Sequence, residues 1–482
     1  MCDQPIIFVQ PPASFDNSSP CLDDKQFGLG ILANAAWLES HGYTVSGVHI
    51  PLSLHYGFTA DDTLNMIVGS DPLLVAIGLN WVHFSDGAIQ TAQRIKAKRP
   101  ACPIIIGGQH AGLFAQEIAT QNAHCIDGVI LGEAEVPLML ICQSLRETGK
   151  LPEKLPGLVR GAEDITPAEV VEPMDGLPVY RYSTLRPHPL QANVGAISTT
   201  RGACPFNCSW CIEPVIGRLQ GRRKLQFHSA DRITDQIDSL MQYGISRFTI
   251  QDNFFVGGDK KLVDLANALI KRRLRPAHIN IFAHPESYTL QGLEAFSGCC
   301  DKASVDYGVE TGSRRVATLN NRRLNPDEVV ERIANAVSAL VEPFTWWMVG
   351  LPGEDDQALE ETEDLILRTM CVGGIPRWVS PLILLPETPI YRDPARFGVR
   401  LRFEGFSEYA TFSRATLAEA VMFSHTMTHE TREATCDGIS AASRRLRKFI
   451  TDNLHVAESF YASQRLQPDL ASVRGRVQQS FF

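Results

Sequence analysis

The chain has 482 residues, 44% of them hydrophobic and 21% charged, with a net charge of -9. That is ordinary globular composition for about three domains. The acidic balance argues against a nucleic-acid partner held by bulk charge. No apolar run approaches the ~18 residues of a spanning helix, so no membrane partner is expected. Met1–Pro12 has neither a basic opening nor a long apolar run, so the expectation is a cytoplasmic, reduced protein. In that setting its twelve cysteines are not a disulfide framework.

Residues 1–147 read as alternating strands and helices. Strands are predicted over 5–12, VSGVHIPL (45–52), 73–80, 102–108 and 126–132. Helices are predicted from Leu29 to Gly42, over 86–98 with Asp86 as cap, and from Glu135 to about Arg146. The alternation predicts a Rossmann-like open parallel sheet, with ligands beyond the carboxyl ends of its strands. Residues 148–190, rich in Pro, Gly and charge, read as a linker with one small hairpin.

A second series spans 191–397. Its strands are predicted at 196–200, 246–251, 278–283, 302–309, 344–349 and 379–385, with helices near 229–243, 258–272, 288–298, 325–340 and 355–370. Six strands with helical crossovers predict a partial (β/α)6 TIM-like barrel, whose chemistry lies at the C-terminal strand ends. Residues 398–482 read as a mixed, then helical, extension that helps form a substrate pocket. The fold class is therefore α/β.

The chemical signal is RGACPFNCSWC (201–211), in which Cys204, Cys208 and Cys211 follow a strand. Three thiolates in one loop suit an iron–sulfur cluster, or zinc completed by a remote ligand. The loop leaves a fourth corner of a cubane open. The segment resembles the radical S-adenosylmethionine (SAM) enzymes, which carry this spacing with an aromatic, here Trp210, before the last cysteine.

The resemblance implies a [4Fe-4S] cluster on Cys204, Cys208 and Cys211, SAM on its open iron, and one-electron cleavage of SAM to a 5′-deoxyadenosyl radical. It implies an external electron donor such as a flavodoxin or ferredoxin, and a small-molecule substrate. It extends through four further segments. YGISRFTIQDNFF (243–255) places Asp252 and Asn253 near SAM or substrate. VDYGVETGS (305–313) places Glu310, Thr311 and Ser313 near the ribose and methionine. WWMVGLPGEDD (346–356) places Gly350 and Pro352 beside SAM. In ILLPETPIYRD (383–393), Glu387 stands where relatives carry glycine.

The N-terminal stretches GILANAAWLESHGYTV, PIIIGGQHA (103–111) and DGVILGEAEVPL (127–138) resemble the cobalamin-binding domain fused to one branch of the family. That resemblance implies cobalamin against Gly107, Gly108, Gly132 and Glu133, without the Asp-x-His-x-x-Gly histidine as lower ligand. It implies a cobalamin-dependent methyltransferase acting on an unactivated carbon of a specialised metabolite. Alternatives are a radical rearrangement, dehydration, cyclisation or aminocarboxypropyl transfer, and a noncatalytic metal-binding protein. Secondary candidates are His284 at the barrel mouth, vicinal Cys299–Cys300, His425 and His429 at helical spacing, Trp346–Trp347, and the Arg218, Arg222, Arg223 group.

Overall fold

The computed structural model describes residues 4–15, 27–162, 165–181, 194–222, 224–252, 257–414 and 426–464. The first sheet contains β1 (Ile6–Gln10), β2 (Val45–His49), β3 (Leu74–Gly78), β4 (Ile104–Gly107), β5 (Gly128–Ile130) and β6 (Leu158–Val159), in the order β2-β1-β3-β4-β5-β6. All pairs are parallel except β5 with β6. Every residue of β1 is buried, as expected of a strand covered on both faces. Helices Leu29–Ser40 and Glu135–Thr148 pack on one face, and Ala60–Gly69 and Ser85–Lys98 on the other. β6 comes from the segment expected as linker and joins the sheet edge instead of forming a hairpin.

The second sheet is built from β7 (Val194–Ile197) and five later strands. Between them, β8 (Thr200–Arg201) and β9 (Gln226–Phe227) form a short antiparallel ribbon. The sheet then continues with β10 (Arg247–Ile250), β11 (His278–Ala283), β12 (Ala303–Glu310), β13 (Val341–Val349) and β14 (Ile375–Pro381). The order β14-β13-β12-β11-β10-β7 is parallel throughout, as in a partial barrel with helical crossovers. Along β12, Val305, Tyr307 and Val309 enter the apolar core, while Ser304 and Asp306 bond to neighbouring strands. The period of two thus separates a greasy outer face from a polar interior.

Two expected strands shift. The last is expected at 379–385, yet β14 runs over Ile375–Pro381. Leu382 and Leu384 leave the sheet and pack under the cysteine loop, so their apolar character serves a different core. In VSGVHIPL the strand stops at His49, and Pro51, lacking an amide hydrogen, opens a helix over Ile50–His55.

Beyond the barrel, β15 (Val399–Leu401) and β16 (His429–Thr431) pair antiparallel. The helix Cys436–Ser463 lies along β14 and the helix Asp356–Cys371. Its Tyr461 hydroxyl donates to Gly373 O at 2.6 Å. His429 sits in a strand, not on a helix face. It is buried, with Nε2 2.8 Å from Gly350 O. His425 lies outside the described residues.

Phe403, Phe406, Tyr409 and Phe412 run back to the first domain and join its core with Phe84, Ala111 and Phe114. Ser413 Oγ accepts from the amide of Asp86 at 3.1 Å. Asp86 lies in the first turn of Ser85–Lys98, whose N-cap position is Phe84 and carries no side-chain cap.

A buried ion network joins the two sheets. Arg201, in β8, reaches Glu133 at 2.8 Å and Glu135 at 2.7 Å. Arg222 grips both oxygens of Glu133, one through Nε and the other through Nη2 at 3.0 Å. Arg222 Nη2 also donates to Val171 O at 2.8 Å. Burial alone would raise the Glu135 carboxyl, but Arg201 and Arg222 more than offset it and hold it below the usual range. Glu133→Ala leaves Arg222 buried without its carboxylate, a loss of about 3–5 kcal/mol. The expected outcome is a lower guanidinium midpoint in unfolding followed by circular dichroism, with Glu133→Gln intermediate.

Candidate functional site

The three cysteines occupy the loop between β8 and the helix Glu213–Leu219. Two glycines permit its path. Gly202 has φ +103, and a Cβ there would lie 2.3 Å from Lys224 O. A Cβ on Gly217 would lie 2.1 Å from Ala203 N, so the helix seats directly on the loop. Within the loop, the Cys211 amide donates to Cys208 O at 3.1 Å. Cys208 and Trp210 are buried against Leu351, Leu382, Leu384 and Ile390. All three thiols are free, and burial pushes that of Cys204 up to about 12.

Asn320 pins this loop to the fifth barrel strand. Its carbonyl accepts from the Ser209 amide at 3.0 Å, and its Oδ1 from the Ser209 hydroxyl at 2.8 Å. Its Nδ2 donates to Pro352 O at 2.9 Å. Asn321 Nδ2 donates to Asn207 O at 2.7 Å. Arg322 places Nη1 3.8 Å from Cys208 Sγ, gives Nη2 to Gly308 O, and stands 6.0 Å from the Trp210 ring centroid. Phe206 stacks on His284 at 5.1 Å. Burial, aided by Arg322, pushes His284 down to about 3, so its ring is neutral.

The strand-end residues surround the loop in different ways. Asp252 follows β10 by two residues and accepts from the Thr199 amide (2.9 Å), the Ser198 hydroxyl (2.9 Å), the Thr200 amide (3.2 Å) and the Thr199 hydroxyl. It braces the run from β7 into β8. Asn253 lies outside the described residues. Glu310 ends β12 with φ +74, an uncommon backbone state for a residue with a Cβ. Burial raises its carboxyl and Arg322 opposes that. Thr311 Oγ1 accepts from the Ser313 amide at 3.2 Å, and Ser313 caps the helix Arg314–Leu319, so both side chains shape the turn after Glu310.

Glu354 Oε2 accepts from the Gly350 amide at 2.6 Å, while Oε1 is buried without a partner. Glu387 adopts φ +69, keeping a glycine-like backbone, and its carboxylate bonds to Arg392.

Beside this loop lies a cavity of about 940 Å³ lined by both domains. The first domain contributes Gln10, Gly28, Asn34, Asn80, Gly107, Gly108 and Gly132, all near carboxyl strand ends or the Leu29–Ser40 helix start. Gly108 has φ +120, and a Cβ there would meet Leu79 O at 2.6 Å. Asn34 Oδ1 is buried with no partner. The barrel contributes Ser198, Thr200, Asp252 and Phe282. Glu133 also lines the cavity, with both its oxygens on Arg201 and Arg222.

Other candidates have structural positions. Trp347 is core, and Trp346 donates to Asp306 at 2.7 Å inside the barrel. The Cys299 and Cys300 thiols are buried and donate to Phe296 O (3.1 Å) and Lys302 O (3.2 Å). Arg223 lies outside the described residues. Sequence reasoning missed Asn320, Arg322, Glu354 and Asn34. The polar run Asn320–Arg323 after an apolar helix was the available signal for the first two.

Residues 198–366 match the Radical SAM superfamily. A Pyrococcus horikoshii protein described as an uncharacterized methyltransferase is 24% identical over 70% of this chain and 71% of its own. The hopanoid C-3 methylase of Methylococcus capsulatus is 24% identical over 56% of this chain and 50% of its own. The fold is similar to the radical SAM methyltransferase TsrM from Kitasatospora setae, solved with tryptophan and a SAM analogue (TM-score 0.69, 16% identity, 94% of this chain and 89% of that one). It is also similar to the cobalamin-dependent SAM radical enzyme OxsB, solved with aqua-cobalamin and SAM (TM-score 0.67, 12% identity, 99% and 70%).

Glu354 carries a pH signature. Burial pushes its carboxyl up to about 8 from an ordinary 4.5. The folded chain therefore holds this proton through a window in which the unfolded chain has released it. Stability from this group is complete below about pH 4.5 and is lost as pH rises through about 8. Glu354→Gln should match the parent near pH 5 and exceed it by a few kcal/mol near pH 9, read as unfolding free energy against pH.

Proposed function

We propose that this chain, whose residues 198–366 form a radical SAM domain, is a cobalamin-dependent methyltransferase that methylates an unactivated carbon of a small specialised metabolite. The observation that carries this is the 940 Å³ cavity lined jointly by the glycine-rich strand ends of the first domain and by the residues leading into the cysteine loop. The likeness to TsrM and OxsB, whose structures hold SAM ligands and cobalamin, supports the same reading.

The residues fit the groups this reading requires. Cys204, Cys208 and Cys211 would hold a [4Fe-4S] cluster. Three thiolates from one loop suit three corners of a cubane and leave its fourth iron open. Iron overcomes the raised thiol pKa because a coordinated thiol is deprotonated outright. SAM would lie against the ends of β10, β12 and β13, at Asp252, Glu310 and the Gly350–Glu354 turn. Cobalamin would lie along Gly107, Gly108 and Gly132, which line the cavity with Asn34 and its unpaired oxygen.

When bound, these groups supply hydrogen-atom abstraction from carbon and a transferable methyl group. The chain's own residues position and shield. Arg322 sets a positive charge beside Cys208 Sγ. Trp210 and Phe206 exclude water from the loop, and Asn320 fixes its distance to the β13 turn. Asp252 holds the loop entrance, and Thr311 and Ser313 hold the turn that aims Glu310. Glu133 contributes through Arg201 and Arg222, as the joint between the two cofactor walls. A cytoplasmic flavodoxin or ferredoxin would supply the electron.

Anaerobic purification with added hydroxocobalamin should give about four irons and one cobalt per chain. Cys208→Ala should lose the iron and all SAM cleavage while keeping the cobalt. SAM cleavage by that variant, or zinc in place of iron and sulfide, would overturn the assignment.

A further inference from the structure

The barrel-side wall of the cavity carries two side chains that the loop and strand ends leave unused. His228 follows β9, and its amide donates to Thr199 O at 2.9 Å. Its Nδ1 lies 2.9 Å from Asp175 Oδ1, which also accepts from the Ser229 amide at 3.1 Å. An ionised carboxylate only accepts, so it fixes the hydrogen on Nδ1 and leaves a lone pair on Nε2. His228 is buried and lines the cavity, and Nε2 has no partner among the described residues. Burial, reinforced by Arg232 and Arg201 against the opposing effect of Asp175, pushes this histidine down to about 4. The ring is therefore a neutral acceptor at neutral pH.

Arg232, in the first turn of the helix Ala230–Met241, lines the same cavity. Its Nε donates to Leu177 O at 3.0 Å and its Nη2 to Pro178 O at 2.7 Å. Among the described residues no carboxylate forms an ion pair with it, and Nη1 has no partner. Two backbone carbonyls hold the guanidinium in place while one edge stays open.

We propose that His228 and Arg232 together bind a primary carboxamide of the molecule in the cavity, its N–H donating to His228 Nε2 and its oxygen accepting from Arg232 Nη1. The argument is one of complementarity. A carboxylate would satisfy the arginine and leave the imidazole lone pair facing a second acceptor. An ammonium would suit the imidazole and be repelled by the arginine. A hydroxyl must make both bonds through one oxygen, whereas a carboxamide makes each through its own atom. A carboxamide offers one donor and one acceptor side by side. Two sources carry it: the amide-bearing rim of a corrin, or the substrate. The inference rests on the proposed reading of the cavity as a ligand site.

The test uses the full chain, labelled with [¹⁵N]histidine and reconstituted with its cluster, with the His228 resonance assigned by its loss in His228→Gln. Hydroxocobalamin is added first, then propionamide. An upfield move of Nε2 on adding hydroxocobalamin assigns the amide to the corrin. His228→Phe should then bind hydroxocobalamin about tenfold more weakly, while His228→Gln, which keeps an acceptor oxygen, recovers most of that loss. No move with hydroxocobalamin but a move with propionamide assigns it to the substrate. Stoichiometric cobalt with Nε2 unmoved by either addition overturns the proposal. Absence of bound cobalt overturns the cobalamin reading instead, and propionamide alone then decides the carboxamide site.

Discussion

The arrangement depends on one buried electrostatic joint. Arg201 and Arg222 flank the cysteine loop in sequence, one just before it and one just after its helix, and both terminate on Glu133. Glu133 and Glu135 stand where β5 of the first sheet gives way to a helix. Charges taken out of water are tolerated only when paired with good geometry. Here Arg201 and Arg222 are matched by Glu133 and Glu135, and the other donors of Arg222 reach Val171 O and Gln226 Oε1. Each domain alone would present two like charges on this face. The pairing therefore fixes the relative placement of two walls that must face one cavity, and it does so within a few residues of the thiols.

Specificity of placement matters more here than strength. An apolar cluster already crosses the boundary, running from Phe8, Ile31 and Ile105 through Tyr180 and Ile197 to Ile233. Such contact holds surfaces together but is tolerant of sliding. Directional pairs are not. The linker is fixed in the same manner: Tyr180 and Gln236 exchange backbone-to-amide hydrogen bonds of 3.1 and 2.9 Å, and Arg232 holds two consecutive carbonyls. Within the segment that composition marks as loose, Leu177, Pro178 and Tyr180 are thus set in the cavity wall.

Legibility in the sequence followed the range of the interaction. The crossover helices of the barrel were readable to within a residue or two, because hydrophobic period and caps are local. Ser229, Asn325 and Asp355 mark three of their starts. The cysteine spacing was readable because one loop supplies all three thiols. What was not readable required knowing which distant side chains meet. Glu133 looked like a ligand contact because it follows a strand end; its actual partners lie 68 and 89 residues away. Leu382 and Leu384 looked like strand because apolar residues in short runs do not say which core they enter. His429 had helical spacing to a neighbour, but its antiparallel pairing with Leu401 of β15 set a strand.

The aromatic group at Phe403–Phe412 has a consequence for biogenesis. It completes the core of a domain whose first strand begins at Ile6. During synthesis that domain can form its sheet early, yet the surface around Phe84, Ala111 and Phe114 stays bare until several hundred further residues have left the ribosome. The nascent chain must carry a greasy patch through the whole translation of the barrel. Maturation is thus ordered: the last layer of the first domain is set only after the barrel that separates it from its own covering segment.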